Sequence, residues 1–308
     1  MATRPAEFAI SVAPAESLWV RREGAGPPIV LLPGLLGGRF SFRKVAALLH
    51  DRGYETIVIE PLGIGSSSRP QGADYSFAAQ AARIASVLDS LGIHGAIVVA
   101  HSLGASIALR MAAVRADLIA GIVSLEGVLA ESAATPSLKR AVRLGPLLRL
   151  VGGRQQARGL LRQQMIEASG DRSWITDTVV AAYTAPAADD LDGTLGVYRA
   201  MLASREPLPA SAVLAAVRCP VLVLIGGAPH AGGPAPEEVQ RLERALPLVR
   251  TETLPDAGHY LQEERPAAVA DAVTLMQTGP GILAPTDRAP ALRLDAGLTA
   301  PTDLVSAD

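Results

Sequence analysis

The sequence predicts an α/β protein, a mostly parallel, doubly wound sheet that carries a helical cap insertion. Three observations predict it. Short continuous apolar runs recur, such as Ile29-Val30-Leu31-Leu32, Thr56-Ile57-Val58-Ile59 and Ile97-Val98-Val99; strands buried on both faces read this way. Segments of helical spacing separate these runs, and strands alternating with helices imply parallel pairing with helices on both faces. After about Gly127 the alternation stops, and it resumes at Val221-Leu222-Val223-Leu224-Ile225.

Two alternating segments come first, Phe8 to Val12 and Leu18 to Val20, and predict an antiparallel hairpin at a sheet edge. The strand at Ile29–Leu32 ends at Pro33-Gly34. A helix over Phe42–Asp51 stops at Gly53, and the strand at Thr56–Ile59 follows. Ser76 to Leu91 is an alanine-rich helix ending at Gly92. Ala96–Ala100 is a strand, Ser102–Arg115 a helix and Gly121–Leu125 a strand. From Glu131 to Ala210 the spacing is helical. After the strand at Val221–Ile225 come a helix at Pro236–Leu246, a strand at Thr251–Leu254 and a helix at Arg265–Met276, with Pro266 in its first turn. Residues 1–130 and 211–278 are therefore read as two parts of one sheet domain and 131–210 as a helical cap. Residues 279–308 form a Pro-, Gly- and Ala-rich tail, in which Ala284-Pro285-Thr286-Asp287 recurs as Ala300-Pro301-Thr302-Asp303.

Composition removes several function classes. The 308 residues are 49% hydrophobic and 19% charged, ample for a buried core. A formal net charge of −2 and only 4% aromatic residues leave neither the field nor the stacking platform of a nucleic-acid binder. No apolar run reaches the ~18 residues of a membrane span. Met1 to Ile10 does not read as a secretion signal. Cys219 is the single cysteine and reads as a small buried residue at a strand start. The expectation is a soluble cytoplasmic protein acting on a small molecule, with no cofactor and no metal. Oligomeric state is not legible.

The chemistry centres on Ala100-His101-Ser102-Leu103-Gly104. A serine hydroxyl becomes a useful nucleophile when a base takes its proton. A sharp strand-to-helix turn presents such a serine, and crowding there requires small residues two before and two after it. Ala100 and Gly104 meet that need between an apolar strand and an alanine-rich helix, which makes Ser102 the candidate nucleophile rather than a simple helix cap.

Further motifs follow in order: Pro33-Gly34-Leu35-Leu36, then Pro61-Leu62-Gly63-Ile64-Gly65-Ser66-Ser67, the turn around Ser102, Pro220 to Gly226, and Ala257-Gly258-His259-Tyr260-Leu261-Gln262-Glu263. This set resembles the α/β-hydrolase fold superfamily over about Leu31 to Pro266. The resemblance implies His259 as general base, and backbone N–H groups of Leu35 and Leu103 as the oxyanion hole. Of the other histidines, His101 is expected to pack beside the turn, while His50 and His94 are expected at element ends facing solvent.

The orienting acid is less direct. In most members it follows the late strand, but here that loop reads Gly226-Gly227-Ala228-Pro229-His230-Ala231-Gly232-Gly233, with no carboxylate. Gly121-Ile122-Val123-Ser124-Leu125-Glu126 is similar to the haloalkane dehalogenases, which carry the acid after this earlier strand. Strand ends of a parallel sheet gather at one rim, so Glu126 can face the same crevice as Ser102. Glu126 is assigned as the acid; a Ser–His dyad alone, or Asp256, are the other readings.

The wider resemblance also takes in epoxide hydrolases. Those enzymes and the dehalogenases attack alkyl carbon with an aspartate, whereas a serine directs the chemistry to acyl groups: ester, thioester, lactone or C–C bond hydrolysis, or acyl transfer. Use of the fold as a non-catalytic ligand-binding protein is a further reading. In the insertion, Leu144, Leu147, Leu148, Leu150, Val151, Leu160 and Leu161 read as packing or as an apolar ceiling over Ser102. Arg140, Arg143, Arg149, Arg154, Arg158 and Arg162 read as a solvated face.

Overall fold

A computed structural model of the chain describes residues 5–133, 138–139, 142–143 and 154–279. Eight strands form one sheet: β1 (Ala6–Ala13), β2 (Glu16–Gly24), β3 (Pro28–Leu32), β4 (Glu55–Glu60), β5 (Ala96–His101), β6 (Ile119–Leu125), β7 (Val221–Gly226) and β8 (Val249–Leu254). Their order is β1-β2-β4-β3-β5-β6-β7-β8. β1 pairs antiparallel with β2, and β2 with β4; every other pairing is parallel. The expected edge hairpin is present and longer at both strands than its alternating core.

The apolar runs are continuous because each strand serves two cores. Successive side chains of a strand point to opposite faces. Val30 and Leu32, Val98 and Ala100, Ile122, and Val221 and Val223 pack into one core. Ile29 and Leu31, Ile97 and Val99, Val123 and Leu125, and Leu222 and Leu224 pack into the other. The first core is covered by α2 (Phe77–Ser90) and α3 (Leu103–Val114), the second by α1 (Arg43–Asp51) and a C-terminal helix over Pro266–Thr278. Ser76 caps α2 by accepting from the Ala79 N–H, and the chain leaves that helix through Gly92 at φ 65°, as the sequence predicts.

Between β6 and β7 the described residues contain no strand: residues 138–139 and 142–143 are helical, and α4 (Arg154–Glu167), α5 (Asp177–Asp189), α6 (Leu191–Ala203) and α7 (Ala210–Ala216) follow. After β7 come α8 (Pro236–Ala245), a single turn α9 (Leu261–Glu264) and α10 (Pro266–Thr278). α4 and α5 contribute Met165, Val179, Val180 and Tyr183 to a third, smaller core, joined by Trp174 and by Tyr260 from the loop after β8. Leu161 is packed against that core, but Leu160 is 42% exposed. Arg143 and Arg158 are exposed, and Arg162 pairs with Asp177. The leucines at 144, 147, 148 and 150, Val151, Arg140, Arg149 and the tail after residue 279 lie outside the described residues, as does the side chain of Arg154. Among the described residues no helix is long and apolar enough to cross a membrane.

Candidate active site

The strand order places the site. β3 and β5 are adjacent, yet the chain runs from β3 to β4 on one side and from β5 to β6 on the other. At such a switch point the loops leaving the C-terminal strand ends diverge and open a crevice. The loops after β3, β5, β6, β7 and β8 carry Leu35, Ser102, Glu126, His230 and His259.

Ser102 lies between the last residue of β5 and the first of α3, at φ 54° and ψ −118°. A residue with a Cβ rarely adopts this backbone region, and it persists only where the surroundings enforce it. Here the Ser102 N–H donates to the Leu125 carbonyl at 2.9 Å, tying the turn to the end of β6. A Cβ at Gly104 would come within 2.8 Å of the Leu32 carbonyl oxygen, which is why the helix needs glycine where it crosses β3. The sequence predicts a helix from Ser102; the helix begins one residue later because the turn takes Ser102 out of helical geometry.

A Cβ at Gly34 would lie 2.8 Å from His101 Nδ1 and 3.3 Å from Ser102 Cβ, so the loop after β3 rests directly on the turn. Leu35 and Leu103 are half-buried. The Leu103 N–H is the first of α3 and has no intrahelical acceptor. Neither it nor the Leu35 N–H donates to another backbone carbonyl among the described residues. Both amides are available as donors to a developing oxyanion.

Glu126, the residue after β6, is buried at φ 51°. Its N–H donates to the Leu224 carbonyl at 2.9 Å, and its Oε1 accepts from the Gly226 N–H, so β7 holds both its main chain and its carboxylate. Oε2 faces two imidazoles: His230 Nε2 at 2.9 Å and His259 Nδ1 at 3.6 Å. Burial works to raise the Glu126 pKa, but the two histidines and the Gly226 N–H outweigh it and hold the carboxyl down at about 2. The group is thus an anion at neutral pH despite its burial.

His230 occupies the loop that lacks a carboxylate. Its Nδ1 lies 2.7 Å from the Ala228 carbonyl oxygen while its Nε2 faces Glu126. Both partners are acceptors, and a neutral imidazole carries only one N–H, so the arrangement is that of an imidazolium. The hydrogen bond to Glu126 pushes the His230 pKa up against the opposing effect of burial.

His259 is held by its main chain. Its N–H donates to the Ala168 carbonyl at 2.7 Å, and its carbonyl lies 2.9 Å from His101 Nε2. The His101 and His259 rings stand 4.7 Å apart, which sets His259 beside the turn that carries Ser102. Burial, reinforced by His259, depresses the His101 pKa to about 3, so His101 is neutral and donates from Nε2. Glu264 closes the loop from below: Oε2 accepts from the N–H groups of Gly258, Gly170 and Asp171, and Oε1 from Tyr260. The histidine loop is thereby fastened to the segment linking α4 and α5.

The structure brings Ser102, His259, Glu126, Leu35 and Leu103 to the same C-terminal rim of the sheet. His101 packs beside the turn as expected and also braces the histidine loop. His94 is exposed, as expected. His50 departs from expectation: it is half-buried and its Nε2 meets Thr56 Oγ1 at 2.8 Å, because β4 returns alongside the end of α1. Asp256 is exposed, and among the described residues only its main-chain oxygen is engaged, by Arg265, so it stands apart from the site. Cys219 is half-buried ahead of β7, and burial raises its thiol pKa to about 11. Sequence reasoning missed His230 and Glu264. For His230 the one available signal is its place in the loop where an acid is usual.

Known proteins extend these findings. A family model described as the alpha/beta hydrolase family matches residues 29–272. Haloalkane dehalogenase 2 of Mycobacterium tuberculosis is 28% identical over 257 residues, covering 82% of this chain and 88% of its own. The sn-1-specific diacylglycerol lipase ABHD11 of Mus musculus is 25% identical over 270 residues, covering 80% of each. Among solved structures, a thermophilic esterase from Thermogutta terrifontis superposes with a TM-score of 0.69 at 23% identity, over 89% of this chain and 98% of its own. An epoxide hydrolase, CorEH, superposes with a TM-score of 0.73 at 18% identity, over 89% and 98%. The names of these relatives divide over substrate, and with the family model spanning most of its length this chain belongs to the alpha/beta hydrolase family.

Proposed function

We propose that this hydrolase cleaves a carboxylic ester, or a closely related acyl bond of a small molecule, through an acyl-enzyme on Ser102. The observation that carries the reading is the Ser102 backbone, held at φ 54° in the turn between β5 and α3, with the Glu126–His259 pair on the adjacent loops.

In this reading His259 takes the Ser102 proton as the hydroxyl attacks the acyl carbon, and returns it to the leaving alkoxide. The Glu126 carboxylate holds the imidazole in the tautomer that keeps Nε2 free to accept, and stabilises the imidazolium that forms. The Leu35 and Leu103 N–H groups receive the oxyanion. Water then enters, His259 activates it, and the acyl group leaves as the acid. A serine at the turn favours acyl chemistry over the alkyl-carbon chemistry named for the dehalogenase and epoxide-hydrolase relatives. Lactone, thioester and C–C bond cleavage use the same groups.

A p-nitrophenyl ester series of rising chain length, run on the native chain and on Ser102→Ala, tests the proposal together with a fluorophosphonate probe. The expected result is turnover and labelling in the native chain and neither in Ser102→Ala. Turnover that survives Ser102→Ala, or a native chain that neither labels nor hydrolyses any ester, overturns it.

A further inference from the structure

One cluster in the crevice has more donors than an ester hydrolase uses. Glu126, His230 and His259 each offer one metal-ligating atom, and these atoms lie within 4.8 Å of one another. Oε2 of Glu126 is 2.9 Å from His230 Nε2 and 3.6 Å from His259 Nδ1. A tetrahedral zinc ion with bonds of about 2.0–2.1 Å needs ligand atoms roughly 3.3 Å apart. The two distances from Glu126 lie on either side of that value, and the two imidazole nitrogens, within 4.8 Å of each other, would close on the ion by side-chain rotation.

The outer interactions of a metal site are already made. A histidine ligand commonly donates its other N–H to a carbonyl, which fixes tautomer and ring orientation. His230 Nδ1 has such a partner in the Ala228 carbonyl at 2.7 Å, leaving Nε2 to coordinate. Glu126 Oε1 is anchored by the Gly226 N–H, leaving Oε2. His259 Nδ1 is buried 3.6 Å from Glu126 Oε2 and, among the described residues, makes no hydrogen bond of ordinary length. Space is left open on one side by two glycines. A Cβ at Gly233 would sit 2.8 Å from Glu126 Oε2 and 2.9 Å from His230 Nε2, and one at Gly232 would touch the His259 ring at 3.5 Å. Two imidazoles and one carboxylate suit zinc, cobalt, nickel or copper ions far better than magnesium or calcium.

We propose that Glu126, His230 and His259 form a site for one zinc-class divalent cation, and that its occupancy inhibits the enzyme. The cation would replace the proton between His230 Nε2 and Glu126 Oε2, which leaves to solvent, and would bond to His259 Nδ1, whose own proton passes to Nε2, so that Nε2 could no longer accept from Ser102. That bond takes the imidazole away from Glu126 and opposes formation of the imidazolium. The inhibitory consequence rests on His259 acting as the base; the binding itself does not.

The test uses the full chain. Zinc chloride is titrated calorimetrically into the native protein, His230→Ala and His230→Gln, and cobalt chloride is followed by its visible d–d absorption. The expected result is one cation per chain, the absorption of tetrahedral cobalt, and binding weakened by about 30-fold or more in both variants. With an ester substrate, zinc should suppress native turnover reversibly with EDTA. Each folded variant, measured against its own metal-free rate, should need about 30-fold more zinc for the same suppression. Failure to bind, or equal affinity in native chain and both variants, overturns the site. Stoichiometric binding with unchanged turnover overturns the inhibition. If no ester is hydrolysed, calorimetry and the cobalt spectrum still decide the site, so that outcome falls on the hydrolase reading alone.

Discussion

Glu126→Gln removes one charge at the centre of the site and leaves nearly the same shape. The magnitude follows from the 3.6 Å between Glu126 Oε2 and His259 Nδ1. At an effective dielectric constant of about 20, two unit charges at that separation attract by about 4.6 kcal/mol. The attraction exists only when His259 is protonated, which is the state reached in the transition state. Losing it costs about three powers of ten in kcat. Tautomer adds to the effect: the glutamine amide presents N–H to His259 Nδ1, which favours the ring form whose Nε2 carries the proton and cannot accept from Ser102. The fold should survive. The glutamine oxygen can still accept from the Gly226 N–H, and His230 can release a proton, keep Nδ1–H on the Ala228 carbonyl, and accept the amide at Nε2. The assay is kcat and KM on the best p-nitrophenyl ester, with circular dichroism and the thermal midpoint measured alongside. A loss of less than tenfold in a folded variant would refute the assignment of Glu126 and return the site to a Ser–His dyad.

Three other perturbations probe the frame around the site. Glu206, in the loop after α6, accepts from the Phe77 and Ala78 N–H groups at the start of α2 and pairs with Arg110 Nε of α3 at 2.9 Å, both side chains being almost wholly buried. Glu206→Ala strands a buried guanidinium and should destabilise the chain by about 3–5 kcal/mol in urea unfolding, and a loss below about 1 kcal/mol would contradict it. Glu264→Gln exchanges an anion for a neutral amide under the four N–H groups that shape the histidine loop; kcat should fall roughly tenfold with KM nearly unchanged, as for a lost transition-state geometry, whereas a rise in KM alone would place its role in substrate binding. For Cys219, a thiol pKa raised from 9.0 to about 11 means that at pH 8 the native thiolate fraction is about a hundredfold below that of the unfolded chain. Iodoacetamide should therefore label Cys219 roughly that much more slowly in native protein, with the gap closing as pH rises toward 11, and equal rates at pH 8 would show the thiol to be unshielded.

Sequence and structure contribute differently to this picture, and the reasons are physical. The strands are legible because a doubly covered parallel sheet demands unbroken apolar runs, and the period of two then divides Val30 and Leu32 from Ile29 and Leu31. The turn at Ser102 is legible because crowding at a strand-to-helix corner restricts residue types locally, within two positions on either side. Glu126 is legible through the likeness of Gly121–Glu126 to the dehalogenase strand, and because parallel strands end on one rim it can face Ser102. None of this reaches His230, whose partner is 104 positions away in the chain and whose loop carries no local signature. Nor does it reach Glu264, which collects N–H groups from residues 170 and 171 only because α4 and α5 pack on Tyr260. The sequence by itself determined the sheet, the turn and the rim to which the catalytic candidates come. Only the tertiary structure decided how the loops after β7 and β8 fold against each other, and with it that one carboxylate faces two imidazoles, because loop paths are fixed by packing and long-range hydrogen bonds rather than by local pattern.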